Sequence, residues 1–437
     1  MNPLAEELNQ VIAKGSDPVW RMLSSVGRQL FFPKGILSQS AEAKEKAHRI
    51  NATIGIAKES GDTMCFRSIM DPIGDIPASE ALTYAPSFGL PALRKRWQED
   101  LGRKNPSLTG RSISMPVVTC GITHAISIFA DVWVDPGDVI LLPDMMWGNY
   151  NMIFNVRKGA RLSQYELFNS EGGFNLEAFE AAIAKEAASN QKLVVLLNFP
   201  QNPTGYTVTE AEAEAIADIL ERAAEKGTQL LAVTDDAYFG LFFEEKIQKE
   251  SLFAKLSGRH ANLVAVKLDG ATKEYFVWGL RIGFITYGIL CDGDPMPIYD
   301  ALERKTAGCV RGNISNASHL GQTLLLNAMQ DPRIQGEMLE KFETLKARAV
   351  RVKAVLSDEK YAAAWEAYPF NSGYFMCLKL KTVEAEPLRV HLLDRYGVGL
   401  IALGKFDLRV AFSCVDEDQI QELFDTVLQG VRDLETG

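Results

Sequence analysis

The sequence predicts an α/β fold with a second, smaller α+β domain, and three features of the chain predict it. Short apolar runs alternate with longer amphipathic segments through the middle of the 437 residues. One stretch contains a full strand–helix–strand unit. After about Ser318 the pattern changes to long charged helices followed by shorter strand candidates.

The strand–helix–strand unit begins with Lys192–Leu197 (KLVVLL), too short and too uniformly apolar for an exposed helix, and so a buried parallel strand. Thr209–Lys226 follows as a helix, with Thr209 as N-cap, glutamates in its first turn and Gly227 as its stop. Gln229–Thr234 is again a strand, so the crossover should be right-handed. Further strands are expected at Leu263–Leu268 and Ile282–Tyr287. The C-terminal part should hold a helix at Gly336–Leu356 and strands at Tyr374–Leu380 and Asp407–Phe412. The expected division is an N-terminal segment, 1–70, packing with the small domain, a large domain, 71–320, and a small domain, 321–437.

Composition narrows the function classes. Hydrophobic residues make up 47% and charged residues 23%, ordinary for a globular protein. A net charge of -10 argues against a nucleic-acid or anionic-membrane partner. The six cysteines are scattered without a C-x-x-C pair, so buried free thiols are expected, with no zinc site and no disulfide framework. The five histidines lack metal-ligand spacing, so no metal is expected. No signal-peptide pattern opens the chain and no apolar run approaches the ~20 residues that span a bilayer, so a cytoplasmic protein is expected.

In open α/β sheets, ligands bind outside the carboxyl ends of the strands, and five chemically suggestive segments stand at such ends. Thr119-Cys120-Gly121-Ile122-Thr123-His124-Ala125 runs into an apolar helix, Ile126–Val134; free N–H groups at a helix start attract phosphate, while an ordinary turn capped by Thr123 is the plainer reading. Pro200-Gln201-Asn202-Pro203-Thr204-Gly205 is either a tight turn or a way to aim the Asn202 amide at an anionic oxygen. In Thr234-Asp235-Asp236-Ala237-Tyr238, Asp235 is either a cap or the partner of a protonated ring nitrogen, Tyr238 is a donor to a phenolate oxygen, and Asp236 reads as a solvated neighbour.

The fourth segment, Thr272-Lys273-Glu274-Tyr275-Phe276-Val277-Trp278-Gly279-Leu280-Arg281-Ile282-Gly283, combines an amine, a hydroxyl and a guanidinium. An amine condenses with an aldehyde, and an arginine with a hydroxyl holds a phosphate, which together point to pyridoxal phosphate (PLP). A hairpin-like connection carrying a surface lysine is the alternative. The fifth, Leu408-Arg409-Val410-Ala411-Phe412-Ser413, places an arginine on an apolar strand, where it needs either a substrate carboxylate or a structural acid as partner.

The motifs N-P-T-G, D-x-A-Y and T-K-x-x-x-x-x-G-x-R-x-G, in this order, resemble those of the class I aminotransferases of PLP fold-type I, with aspartate aminotransferase the nearest comparison. The likeness runs from about Asn51 to Ser413. It implies a large domain with a mostly parallel sheet between helices, a smaller α+β domain, and PLP as cofactor. Residue by residue, the resemblance makes Lys273 the Schiff-base lysine, Asp235 the partner of the pyridine nitrogen, and Asn202 and Tyr238 the ligands of the ring oxygen. Arg281, Thr272 and the backbone of Ile122 and Thr123 would hold the phosphate, and Trp147 would stack on the ring. Arg409 would grip the substrate α-carboxylate, and Gly55 would lie beside the substrate. Tyr84 would reach the phosphate of a neighbouring subunit, implying a homodimer. Arg311, also across the dimer, would bind the distal carboxylate of aspartate or glutamate.

Two departures stand out. Gly270 occupies a position where the closest relatives often place a phosphate-binding serine, and Phe370–Phe375 (FNSGYF) matches only loosely. The expected activity is ping-pong transfer of an amino group between an L-amino acid, of the aspartate or glutamate type, and a 2-oxo acid. An aromatic aminotransferase, a PLP-dependent C–S lyase and a non-catalytic amino-acid sensor are the alternatives.

Overall fold

The computed structural model describes residues 1–32 and 35–436. Its centre is a seven-stranded sheet in the order Val117–Thr119, Gly283–Gly288, Leu263–Gly270, Gln229–Asp235, Lys192–Asn198, Val139–Pro143, Arg161–Tyr165. Gly283–Gly288 runs antiparallel to both of its neighbours, while the other pairings are parallel. Alternate side chains on each strand serve different cores. Ile140, Leu142, Val194 and Leu196 face one side with Ala125, Ile126 and Phe129 of the helix Gly121–Trp133. Val139, Leu141, Leu193 and Val195 face the other, with Ala213, Ile216 and Leu220 of the helix Glu210–Glu225. Burial on both faces is why these strands read as continuous apolar runs.

Thr209 caps Glu210–Glu225 as the sequence predicts. Its side chain accepts from the Glu212 N–H at 3.2 Å, and the Glu212 carboxylate accepts from the Thr209 N–H at 2.7 Å. The reciprocal pair satisfies two N–H groups that a helix start otherwise leaves orphaned.

A second sheet, in the order Trp365–Ala367, Met376–Leu380, Asp407–Val410, Ile401–Leu403, is wholly antiparallel. Ile50–Asn51 pairs in parallel with Val398–Gly399, which fastens the N-terminal segment beside this sheet. The helix His319–Gln330 packs against Pro91–Lys104, whereas the next helix, Ile334–Leu356, packs against Ile420–Thr436.

Several local expectations need correction. The helix after Val117–Thr119 begins at Gly121, not Ile126, and its N-cap is Cys120; Thr123 lies inside the first turn and caps nothing. Met376 replaces Tyr374 as the start of its strand. Among the cysteines only Cys377 is buried and Cys65 is exposed, though all six are free thiols. Asp236 is not solvated but buried, in an ion pair with Lys267. Among the described residues no helix is long and apolar enough to cross a membrane, and no His/Cys/Asp/Glu group has the geometry to hold a metal ion.

Candidate active site

The antiparallel insertion of Gly283–Gly288 determines where the site forms. Because that strand runs opposite to its neighbours, its beginning, just after Arg281, lies beside Gly270, the end of Leu263–Gly270. The ends of Gln229–Asp235 and Lys192–Asn198 and the start of the helix Gly121–Trp133 converge on the same edge. There, Gly55, Ile122, Thr123, Trp147, Asn202, Asp235, Tyr238, Thr272, Lys273, Arg281 and Arg409 line one cavity of about 240 Å³. Tyr84 and Arg311 do not reach it. Tyr84 is 89% exposed, and the exposed Arg311 donates to Ser315 Oγ at 2.7 Å.

At one end of the cavity the backbone makes room for an anion. Gly121 has φ 76°, and a Cβ there would lie 2.5 Å from Arg281 Nη2, so only glycine lets the guanidinium lie against the helix start. The first turn of that helix has no side-chain cap, which leaves its N–H groups and the positive end of its dipole facing the anion position. Thr272 Oγ1 is buried and has no hydrogen-bond partner among the described residues. Gly270 also has a steric explanation: a Cβ there would lie 2.6 Å from the Ile282 carbonyl oxygen. A serine does not fit, and Thr272 is the hydroxyl that remains.

The opposite end is built around Asp235. Its carboxylate is 3% exposed, accepts from the Tyr150 hydroxyl at 2.6 Å through Oδ2, and accepts from the Ala237 N–H at 3.2 Å through Oδ1. Burial pushes its pKa up, while the Tyr150 hydrogen bond and the charge of Lys273 pull it down. Lys273 Nζ sits over the Tyr238 ring, 4.8 Å from its centroid. Burial pushes the ammonium down to about 8; Arg281 acts in the same direction and Asp235 opposes it.

Arg409, 2% exposed, emerges from the small sheet. Nη2 donates to the Thr53 carbonyl at 2.9 Å, Nη1 donates to Asn202 Oδ1 at 3.3 Å, and the guanidinium lies 4.1 Å over the Phe375 ring. Nε has no partner, and among the described residues no carboxylate pairs with this arginine. A buried guanidinium with no acid of its own is a receptor for one.

The sequence reading missed three members of the site. Tyr150 lies one turn beyond Trp147, and its hydroxyl is the only side-chain donor to the Asp235 carboxylate among the described residues. Asn198, the polar end of an apolar strand, donates to the Asp235 carbonyl at 2.8 Å and accepts from the Asn202 N–H at 2.9 Å. Phe375, in the loosely matching segment, forms the floor under Arg409. Only Asn198 carried a local signal, a polar residue closing an otherwise apolar run.

The family model described as "Aminotransferase class I and II" matches residues 57–427. The chain belongs to that family. The chain is 28% identical over 253 residues to an aspartate aminotransferase of Bacillus sp. (strain YM-2), covering 58% of this chain and 60% of the relative. It thus spans less than two thirds of that curated relative's length. Arginine–pyruvate transaminase AruH of Pseudomonas aeruginosa is 23% identical over 386 residues, covering 85% of this chain and 88% of the relative. Among solved structures, an aminotransferase from Anaerococcus prevotii superposes with TM-score 0.80 at 25% identity, covering 91% of this chain and 96% of that one. The kynurenine aminotransferase of Pyrococcus horikoshii, at 19% identity, covers 95% of this chain and 98% of its own with TM-score 0.78, and shares the fold.

The cofactor of this family is PLP, and the donor set of this cavity fits it. The uncapped helix start, orphaned Thr272 hydroxyl and Arg281 suit a phosphate, the Asp235 carboxylate suits a protonated ring nitrogen, and the Lys273 amine suits an aldehyde. Only the neutral amine is nucleophilic. Uptake of PLP by the apoprotein should therefore quicken about tenfold per pH unit below pH 8 and level off above it. Stopped-flow absorbance at several pH values checks this, and a rate flat from pH 6 to 9 would contradict the assignment.

Proposed function

We propose that the protein is a PLP-dependent transaminase that moves an amino group between an L-amino acid and a 2-oxo acid by a ping-pong mechanism. The observation that carries the reading is one cavity containing a depressed amine, a buried carboxylate and a buried guanidinium without an acid. Bound PLP supplies an aldehyde for the amino group and a ring that accepts the electrons of the broken bond. Arg409 holds the substrate α-carboxylate in a fork and so sets which bond at the α-carbon faces the ring. Lys273 Nζ would take the α-proton as general base and, once protonated, return it as general acid. Asp235 would keep the ring nitrogen protonated, and Tyr238 with Asn202 would hold the ring oxygen. Trp147, on the cavity wall, would stack against the ring.

Keto-acid formation from a panel of amino donors tests the activity; no transfer from any donor with PLP bound would sink it. Arg409→Gln should lower kcat/KM for every donor by about 10²-fold, mostly through KM, because the lost contact is common to all α-amino acids. A variant that retains wild-type KM for alanine and aspartate alike contradicts the role of Arg409.

The substrate class we favour is acidic, as in the aspartate aminotransferases among the relatives. One chain lines the region around Gly55 with Ile36 and Phe375, and among the described residues the cavity has no cation besides Lys273, Arg281 and Arg409. The distal carboxylate must then be met by Arg311 of a second copy, and Tyr84 would reach the phosphate across the same dimer. Both residues are exposed, and among the described residues neither meets a carboxylate, which suits them to a partner. Arg311→Ala should reduce the preference for aspartate over tyrosine at least tenfold; an unchanged ratio rejects the role and favours an aromatic donor.

A further inference from the structure

Behind the cavity lies a buried charged cluster that the reaction as described leaves unused. Asp235 ends its strand, Asp236 follows directly, and the two face opposite ways. Asp235 lines the cavity, while Asp236 turns into the protein, 4% exposed. There it meets Lys267, 1% exposed, from the adjacent parallel strand Leu263–Gly270. Ser251 donates to Asp236 Oδ2 at 2.6 Å, and Thr234 donates to it at 3.3 Å. Lys267 Nζ also lies 3.6 Å from Asp269 Oδ2, which accepts from Trp97 Nε1 at 3.1 Å. Asp269 Oδ1 has no partner. Beyond Trp97, the helix Pro91–Lys104 contributes Lys104, which pairs with Glu274, the residue after Lys273, and lies 3.5 Å from Asp100.

A lysine in the middle of a buried strand is costly unless it balances charge. Here the charge to be balanced is specific. Two adjacent buried carboxylates repel, and an unbalanced Asp236 would make Asp235 hold a proton more tightly. A protonated Asp235 cannot act as the anionic partner of a ring nitrogen. Lys267 removes that burden from the far side of the strand, without touching the cavity.

We propose that Lys267 is a positioning residue for the transamination, which neutralises Asp236 so that Asp235 stays ionised against the cofactor. The inference rests on the reading of Asp235 as the partner of the ring nitrogen. The groups that bear on it are Asp236 and Asp269 on the two strands, Lys273 and Tyr150 from the cavity side, and Glu274, Lys104 and Asp100 beyond Trp97. Only Lys267 and Asp236 need to be changed to test it.

The measurement is the pH titration of the visible absorbance of bound PLP, with PLP affinity measured in parallel, so that turnover is not the readout. Removing a nearby cation raises proton affinity and removing a nearby anion lowers it. Lys267→Met should move the titration midpoint up by on the order of one pH unit and weaken PLP binding. Asp236→Asn should move the midpoint down, and the double variant should return it close to wild type. Lys267→Arg should restore it. A role in packing alone would lower the melting temperature and leave all four midpoints together, which overturns the proposal. So does a shift in Lys267→Met that Asp236→Asn fails to reverse. If Lys267→Met does not fold, Asp236→Asn alone decides: a downward midpoint supports the proposal and an unmoved one rejects it. Failure of the Asp235 reading itself is distinguishable, since Asp235→Asn would then leave the absorbance titration of the otherwise wild-type protein unchanged.

Discussion

Lys273→Ala should fold, take up PLP and pass amino groups at a rate lower by on the order of 10⁴-fold or more. Among the described residues no other amine lines the cavity; its other cations, Arg281 and Arg409, are guanidiniums, a group with no acceptor for a proton. Lys273→Arg should be nearly as inactive for the same reason. Borohydride treatment of the wild-type holoprotein followed by peptide mapping should mark Lys273, and a label on another lysine would overturn the assignment. Stability gives an independent check. The folded protein holds the Lys273 ammonium down to about 8 against an ordinary 10.5. Between those values the unfolded chain binds more protons, so the stability of the apoprotein rises with pH in that window. Below pH 8 the buried amine costs up to about 3 kcal/mol. Lys273→Ala apoprotein should therefore melt higher than wild type at pH 7, with the difference shrinking between pH 8 and 10.5. An inactive variant that is also more stable separates a chemical role from a structural one.

What the sequence made legible was chemistry that is local in the chain. Asn202, Asp235 and Lys273 each follow an apolar strand and stand beside turn-forming or small residues, so their strand-end position could be read from the pattern. What it hid were partners brought together across the sheet. Tyr150 and Asp235 are separated by 85 residues, and nothing in Trp147-Gly148-Asn149-Tyr150 announces the hydrogen bond. Gly270 looked like a missing serine until the neighbouring strand showed where a Cβ would have to go. Asp236 was misread because adjacency to a functional residue says nothing about which way a strand-end side chain turns. The missed signal was Lys267, a charge in an otherwise apolar strand, which requires a buried acid nearby. The helix at Gly121 began earlier than its apolar run because its first turn is occupied by Ile122, Thr123 and His124, whose mixed character conceals the periodicity.

Asp235→Asn should retain the fold and lose 10²- to 10⁴-fold in both half-reactions, an order-of-magnitude expectation for displaced acid–base control. The substitution is nearly isosteric. The amide oxygen can still accept from the Tyr150 hydroxyl, which occupies Oδ2 at 2.6 Å, so the buried tyrosine keeps its partner and the melting temperature should change little. The other terminus changes character. A carboxylate accepts a hydrogen bond from a protonated ring nitrogen, whereas an amide N–H₂ donates, and a donating neighbour favours the unprotonated nitrogen. Without a protonated nitrogen the group would supply less electron withdrawal, and Lys273 would have to remove a much less acidic proton. The loss should appear in kcat with KM almost unmoved, because Asp235 touches neither Arg409 nor the substrate carboxylate it would hold. Substrate deuterated at the α-carbon should show a larger isotope effect in Asp235→Asn than in wild type, since proton removal becomes the slow step. A variant within tenfold of wild type, or one whose loss lies entirely in KM, would show that Asp235 does not control the ring.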